Sequence, residues 1–157
     1  MEQQSLESLQ EMLDAASGES SASELTLRHI VTKVTDEGLI VEVFDLPDVP
    51  LFVEGTLQPT PIMIDITNMI AAVFGLVTNK IAVAGFTKSV PVVQAENPVW
   101  TLSSNRADRV RQMIEQAGLP SARIQRVTGY ADRKPVVQNP FAVRNNRIEL
   151  ILLRDPV

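Results

Sequence analysis

Leu6, Leu9, Leu13 and Ala16 recur at intervals of three and four through an otherwise polar, acidic stretch. That spacing places them on one face of a short helix. Gly18 and the serine-rich run to Ser23 end the period and read as a helix stop followed by a linker. From Leu25 the period changes to two, with Leu27, His29, Val31 and Lys33 on one side and Arg28, Ile30, Thr32 and Val34 on the other. Thr35-Asp36-Glu37-Gly38 is a turn, and β-branched residues resume over 39–44, so a β-hairpin is expected. His29 within such a strand reads as a packed strand residue rather than a ligand. A loop with four prolines (Pro47, Pro50, Pro59, Pro61) leads into Ile62, Ile66, Met69, Ile70, Val73 and Phe74. These fit one face of a helix over 62–77, opened by Thr60 or Pro61. Residues 81–86 are nearly all apolar and predict a strand buried on both faces.

A long loop over 87–101 is expected next, with Pro91, Pro98 and the lone Trp100. The clearest helix follows over 103–117, with Ala107, Val110, Ile114 and Ala117 as its apolar stripe, Ser103 as N-cap and Gly118 as C-cap. Strands are expected over 124–130 and 146–153, the latter alternating Ile148, Leu150 and Leu152 against Glu149, Ile151 and Leu153. There is no internal repeat. Strands alternating with helices after an opening hairpin give an α/β fold, an α+β two-layer sandwich with a mixed sheet against helices. The chain divides into an N-terminal helix and linker (1–24) and one domain (25–157).

Composition narrows the chemistry. The 157 residues contain no cysteine and one histidine, which removes thiol catalysis, Cys-based zinc sites, iron–sulfur clusters and a His-rich metal site. No apolar run approaches the ~20 residues of a membrane span. There is no Gly-rich phosphate loop, G-x-S-x-G or H-E-x-x-H, so neither enzymatic activity nor a cofactor or metal is expected. The net charge of −5 conceals a gradient: residues 1–27 hold six acids and no base, whereas 80–157 hold twelve bases against six acids. The C-terminal half is therefore suited to an anionic partner. Seven aromatic residues and an acidic whole argue against nucleic acid.

One local feature points to such a partner. With Ser103 as N-cap, Arg106 falls in the first helical turn, where a cation opposes the helix dipole. A guanidinium beside free backbone N–H groups would make a carboxylate receptor. Pairing of Arg106 with an acid of its own chain is the alternative.

Several segments together carry a family resemblance. Leu102-Ser103-Ser104-Asn105-Arg106-Ala107, Gly118-Leu119, Arg123-Ile124, Val127-Thr128-Gly129-Tyr130 and Asn145-Asn146-Arg147-Ile148-Glu149 resemble the OmpA-like peptidoglycan-binding domain. Gly85-Phe86-Thr87-Lys88 falls where that family has G-H-T-D. The hairpin turn 34–41 and Pro50-Leu51-Phe52 are similar to the periplasmic part of MotB-like flagellar stator proteins. The resemblance spans roughly 25–154. It implies a non-enzymatic periplasmic domain that anchors an ion-conducting stator to peptidoglycan. It also implies a homodimer and a MotA-like channel subunit, engaged through an inner-membrane span that this sequence does not contain. The helix over 6–16 would then resemble the linker between membrane and wall.

The resemblance also implies a ligand and its contacts. The family's Asp in G-H-T-D receives the ammonium of diaminopimelate in the stem peptide, and the Arg of L-S-x-x-R-A receives its carboxylate. Carried over, the peptidoglycan-binding positions are Phe86, Thr87, Lys88, Leu102, Ser103, Arg106, Asn145 and Arg147. Three positions depart from the pattern: Lys88 replaces the Asp, Phe86 the His, and Asn146 the first Arg of N-R-R. Two readings follow. Either wall binding persists through Arg106 and Arg147, with Glu96 taking the ammonium, or the pocket is retired and the domain serves protein–protein assembly.

Overall fold

A computed structural model of the chain describes residues 2–19, 28–90 and 98–155. The hairpin forms as the period-two pattern predicts: β1 (Ile30–Val34) pairs antiparallel with β2 (Gly38–Phe44). Its turn is closed by Thr35, whose backbone N–H and hydroxyl both donate to the Gly38 carbonyl. His29 immediately precedes β1, fully buried, its Nδ1 2.7 Å from the Phe44 carbonyl oxygen.

The chain continues through helix α2 (Pro61–Phe74), strand β3 (Ile81–Phe86), helix α3 (Pro98–Gln116), strand β4 (Ile124–Gly129) and strand β5 (Arg147–Leu153). The sheet order is β1-β2-β5-β3-β4. Among the described strands only β3 and β4 run parallel, as a strand–helix–strand crossover through α3 requires. This is the mixed sheet with helices that the alternation of elements predicts. No helix among the described residues is long and apolar enough to cross a membrane.

Alternation along the strands sorts the sheet into two faces. Leu39, Val41, Val43, Ile81, Val83, Ile148, Leu150 and Leu152 face the helices, meeting Ile66, Ile70 and Phe74 of α2 and Ala107, Val110 and Ile114 of α3. Helix α1 (Glu2–Glu19) joins this same core, packed against α2, β1 and β2. Its Leu6, Leu9 and Leu13 are at most 3% exposed, each burial contributing about 1.5–3 kcal/mol. Gln10 adds a polar tie, its amide donating to the Thr32 carbonyl and hydroxyl of β1. The serine-rich stretch over 20–23 lies outside the described residues.

Three boundaries differ from the sequence pattern. Helix α1 continues through Gly18 to Glu19. Helix α2 ends at Phe74, where the Gly75 N–H closes onto the Ala71 carbonyl. Most consequential, α3 begins at Pro98 rather than Ser103. Proline is favoured at the first helical position because its missing N–H would have no partner there, a signal obscured when Pro98 is read with Pro91 as a mark of loop. Ser103 is thus no N-cap: its hydroxyl donates to the Trp100 carbonyl and accepts the Ala131 N–H. The other end is as expected, with Gly118 at φ +113° and the Leu119 N–H reaching back to the Ile114 carbonyl.

Candidate functional site

Three strand ends and one helix face converge on a cleft of about 850 Å3. The exit of β2 supplies Asp45, the exit of β3 supplies Thr87 and Lys88, and the residue before β5 is Asn146. Helix α3 contributes Leu102, Asn105 and Arg106, and the β2–α2 loop adds Asp48, Phe52 and Glu54 to the lining.

Asn146 ties the strand ends together. Its side-chain oxygen accepts the Lys88 N–H at 2.8 Å, its amide donates to Asp45 Oδ2 at 3.0 Å, and its carbonyl accepts the Asp45 N–H. Asp45 Oδ1 accepts the Leu51 N–H at 2.8 Å, fixing the start of the loop. Burial pushes the Asp45 carboxyl above its ordinary range, opposed by the Leu51 and Asn146 hydrogen bonds and by the charge of Arg106.

Arg106 is 7% exposed. Its Nε donates to the Thr56 carbonyl at 3.0 Å, and the guanidinium lies 5.0 Å from the centre of the Phe52 ring. Burial lowers its pKa, countered by Asp45. Its two Nη groups donate to no acceptor among the described residues, which leaves the outer edge of the fork for a ligand. Because α3 starts at Pro98, Arg106 lies in its third turn and not beside free N–H groups. The receptor is the guanidinium alone, and the expectation of a first-turn anion site is overturned. Thr87 is 4% exposed, and its hydroxyl oxygen has no hydrogen-bond partner among the described residues.

The predicted site residues divide between two places. Thr87, Lys88, Leu102 and Arg106 line the cleft. Phe86 and Arg147 point to the opposite face of the sheet, where alternation must put them. There they belong to a continuous stack: Arg144 over Phe44 at 3.5 Å, Arg147 over Phe86 at 3.8 Å, Phe86 stacked on Tyr130 at 5.0 Å, and Lys134 over Tyr130 at 4.5 Å. Phe44, Arg147 and Phe86 are cross-strand partners. Four members of the row neighbour a cleft residue or its support in the chain: Phe44 precedes Asp45, Phe86 precedes Thr87, Tyr130 precedes Ala131, and Arg147 follows Asn146. The stack therefore pins on one face the strand ends that build the cleft on the other.

The same row resolves a charge conflict. Glu42 and Glu149 stand directly opposite across β2 and β5, a destabilising pair on its own. Arg144 bonds Glu42 at 2.6 Å, and Arg147 lies 3.2 Å from Glu149 and 3.7 Å from Glu42. Burial lowers the Arg147 pKa, opposed by Glu149 and Glu42.

Asn145 and Ser103 are also buried away from the cleft. The Asn145 side chain accepts the Val136 and Val137 N–H groups and donates to the Asn139 carbonyl, bracing the β4–β5 loop. Ser103 sits where helix and sheet nearly touch: a Cβ on Gly85 would lie 2.2 Å from its carbonyl oxygen, and one on Gly129 would lie 2.5 Å from the Ser104 nitrogen. Those glycines let α3 settle deeply enough to carry Arg106 into the cleft. Glu96 lies outside the described residues.

Much of the basic excess after residue 80 serves the chain itself. Arg123 donates to the Asn79 and Phe74 carbonyls, Arg154 to the Thr35 carbonyl, Arg111 bridges Asp108 and Glu115, and Arg126 pairs with Glu37. Sequence reasoning missed Asp45, Asp48 and Glu54 as cleft residues. An acid directly after an apolar strand, opening a proline-rich loop, was the available signal for the first.

The chain matches the OmpA family over residues 52–149. It is 32% identical over 157 residues to Motility protein B of Escherichia coli K12, an alignment covering 98% of this chain and 51% of that protein. The chain thus spans about half the length of the curated relatives it first matches. In fold it is similar to a MotB-like protein from Desulfovibrio vulgaris, with TM-score 0.76, 19% identity, and coverage of 97% of this chain and 96% of that one. The periplasmic domain of Helicobacter pylori MotB gives TM-score 0.67 at 25% identity, covering 81% and 83%. With the family match extending over more than half its length and the expected mixed five-stranded sheet in place, this chain belongs to the OmpA family.

Proposed function

We propose that this chain is the periplasmic, peptidoglycan-binding part of a MotB-like flagellar stator protein. It holds the stator to the wall without performing catalysis. The observation that carries the reading is Arg106: a buried guanidinium whose Nη groups donate to no acceptor among the described residues, at the edge of a cleft large enough for a peptide end. A charge kept out of water without a full set of partners is costly, and a ligand carboxylate is the partner its planar fork fits. The similarity to Motility protein B supports the flagellar setting. In this proposal Thr87, Lys88, Leu102 and Arg106 contact the stem peptide, while Phe86, Ser103, Asn145 and Arg147 hold the cleft in shape. The full protein is anchored in the inner membrane by a span preceding this region, associates there with a MotA-like channel subunit, and works as a homodimer.

Co-sedimentation with purified diaminopimelate-containing sacculi tests the reading. The chain pellets with sacculi, and Arg106→Ala returns it to the supernatant without lowering its melting temperature below the assay temperature. A chain that stays in the supernatant, and gains binding only on Lys88→Asp, refutes wall anchoring and leaves an assembly role.

A further inference from the structure

Two hydrogen-bond paths lead from the buried Asp45 carboxylate, one toward each cation of the cleft. On the first, Oδ1 accepts the Leu51 N–H at 2.8 Å, and Leu51 is the root of a closed loop. The Leu51 carbonyl accepts the Thr60 N–H and hydroxyl, the Val53 N–H donates to the Gln58 carbonyl, and the Thr56 N–H turns back to the Val53 carbonyl. At the tip the Thr56 carbonyl takes Arg106 Nε, and near the root the Phe52 ring lies 5.0 Å from the guanidinium. A loop tied by its own bonds moves as one piece, so its root decides where Arg106 is held. The second path runs from Oδ2 to the Asn146 amide at 3.0 Å, and from the Asn146 side-chain oxygen to the Lys88 N–H at 2.8 Å.

We infer that Asp45 and Asn146 are a pair of positioning residues: the order of donors and acceptors from the Leu51 N–H to the Lys88 N–H sets where the Arg106 guanidinium and the Lys88 backbone stand, and with them how tightly the cleft takes its ligand. What the cleft holds rests on the wall-binding reading. The chemistry of the pair is restrictive. Leu51 and Lys88 both present backbone N–H donors, so each end of the path needs an acceptor facing it. A carboxylate offers acceptors on both sides, whereas an amide offers one acceptor and one NH2 group. Two amides side by side would meet NH2 to NH2, and two carboxylates oxygen to oxygen. One carboxylate beside one amide satisfies all three bonds, and it does so in either order. Asp45 is 8% exposed, so water does not readily replace a bond lost there.

The test is a second-site rescue in the whole chain. Hydrogen exchange of the Lys88 amide and the Arg106 Nε–H is followed by 15N NMR without ligand, and binding by co-sedimentation with purified sacculi. In Asp45→Asn one donor always lacks an acceptor, so both protons are expected to exchange about tenfold faster and sacculus binding to weaken about tenfold. Adding Asn146→Asp restores all three bonds in the reverse order at unchanged net charge, and returns exchange and binding to those of the original. A merely structural role would lower the melting temperature of Asp45→Asn in calorimetry without moving exchange at these two sites or binding at temperatures where the protein is folded. Exchange and binding unchanged in Asp45→Asn, or unrecovered in the double variant, overturns the inference. So does a double variant that melts below the assay temperature, because a complete bond set should fold. A chain that does not pellet with sacculi refutes wall anchoring instead, and the exchange comparison, made without ligand, still decides the positioning pair.

Discussion

Gly85→Ala places a methyl group 2.2 Å from the Ser103 carbonyl oxygen, 3.1 Å from its carbonyl carbon and 3.3 Å from the Ala107 methyl. Ordinary contact begins near 3.4 Å, so the closest pair is about 1.2 Å too near. Neither partner yields easily, because the oxygen belongs to the backbone of α3 and Gly85 lies in a strand paired on both sides. The helix must lift or the strand must bend. Overpacking of this kind costs about 1–3 kcal/mol, and two rigid backbones put the cost at the upper end. About 3 kcal/mol corresponds to roughly 6–12 °C in melting temperature for a domain of this size. Gly118→Ala provides the contrast. Nothing lies within 4 Å of its Cβ, but φ is +113°, so its cost of about 1–3 kcal/mol comes from backbone strain at the far end of α3. Both variants should melt early in calorimetry, yet only Gly85→Ala displaces Arg106 and weakens sacculus binding at temperatures where the protein is folded. A Gly85→Ala protein within about 0.5 kcal/mol of the original would refute the close-approach argument.

The other expectations concern stability. Arg147→Ala removes the cover of Phe86 and leaves Glu149 facing Glu42, so urea unfolding should show a loss of about 3 kcal/mol, partly recovered in Arg147→Lys; a loss under about 1 kcal/mol would mean that the stack is ornamental. Leu9→Ala should cost about 2–4 kcal/mol and keep a single unfolding transition, since α1 shares the main core; a separate early transition of α1 would contradict that packing. Burial raises the folded-state pKa of Asp45 above its unfolded value of about 3.9. Its stabilising contribution is therefore complete below that value and is lost as pH rises through the raised folded one. The unfolding free energy of the original minus that of Asp45→Asn should fall from pH 3.5 to 7, and a flat difference would show that burial does not dominate at this carboxyl.

Residue pattern alone determined most of the architecture, because periodicity is a local signal that burial turns into structure. The hairpin, the doubly buried β3, the α3 stripe ending at Gly118 and the alternation in β5 each follow from spacing within a few residues. The glycine, arginine and asparagine motifs identified the family for the same reason. Tertiary structure decided what those residues do. Phe86 sits next to Thr87 in sequence and on the other side of the sheet in space, and Arg147 serves a cation–aromatic row rather than the cleft. Asp48 and Glu54 share a cleft with Arg106 only because a proline-rich loop folds back so that its Thr56 carbonyl meets α3. Spacing along the chain states which face a residue takes, but a site assembled from strand ends and a returning loop depends on contacts between residues far apart in sequence, and these are fixed only when the sheet and helices pack.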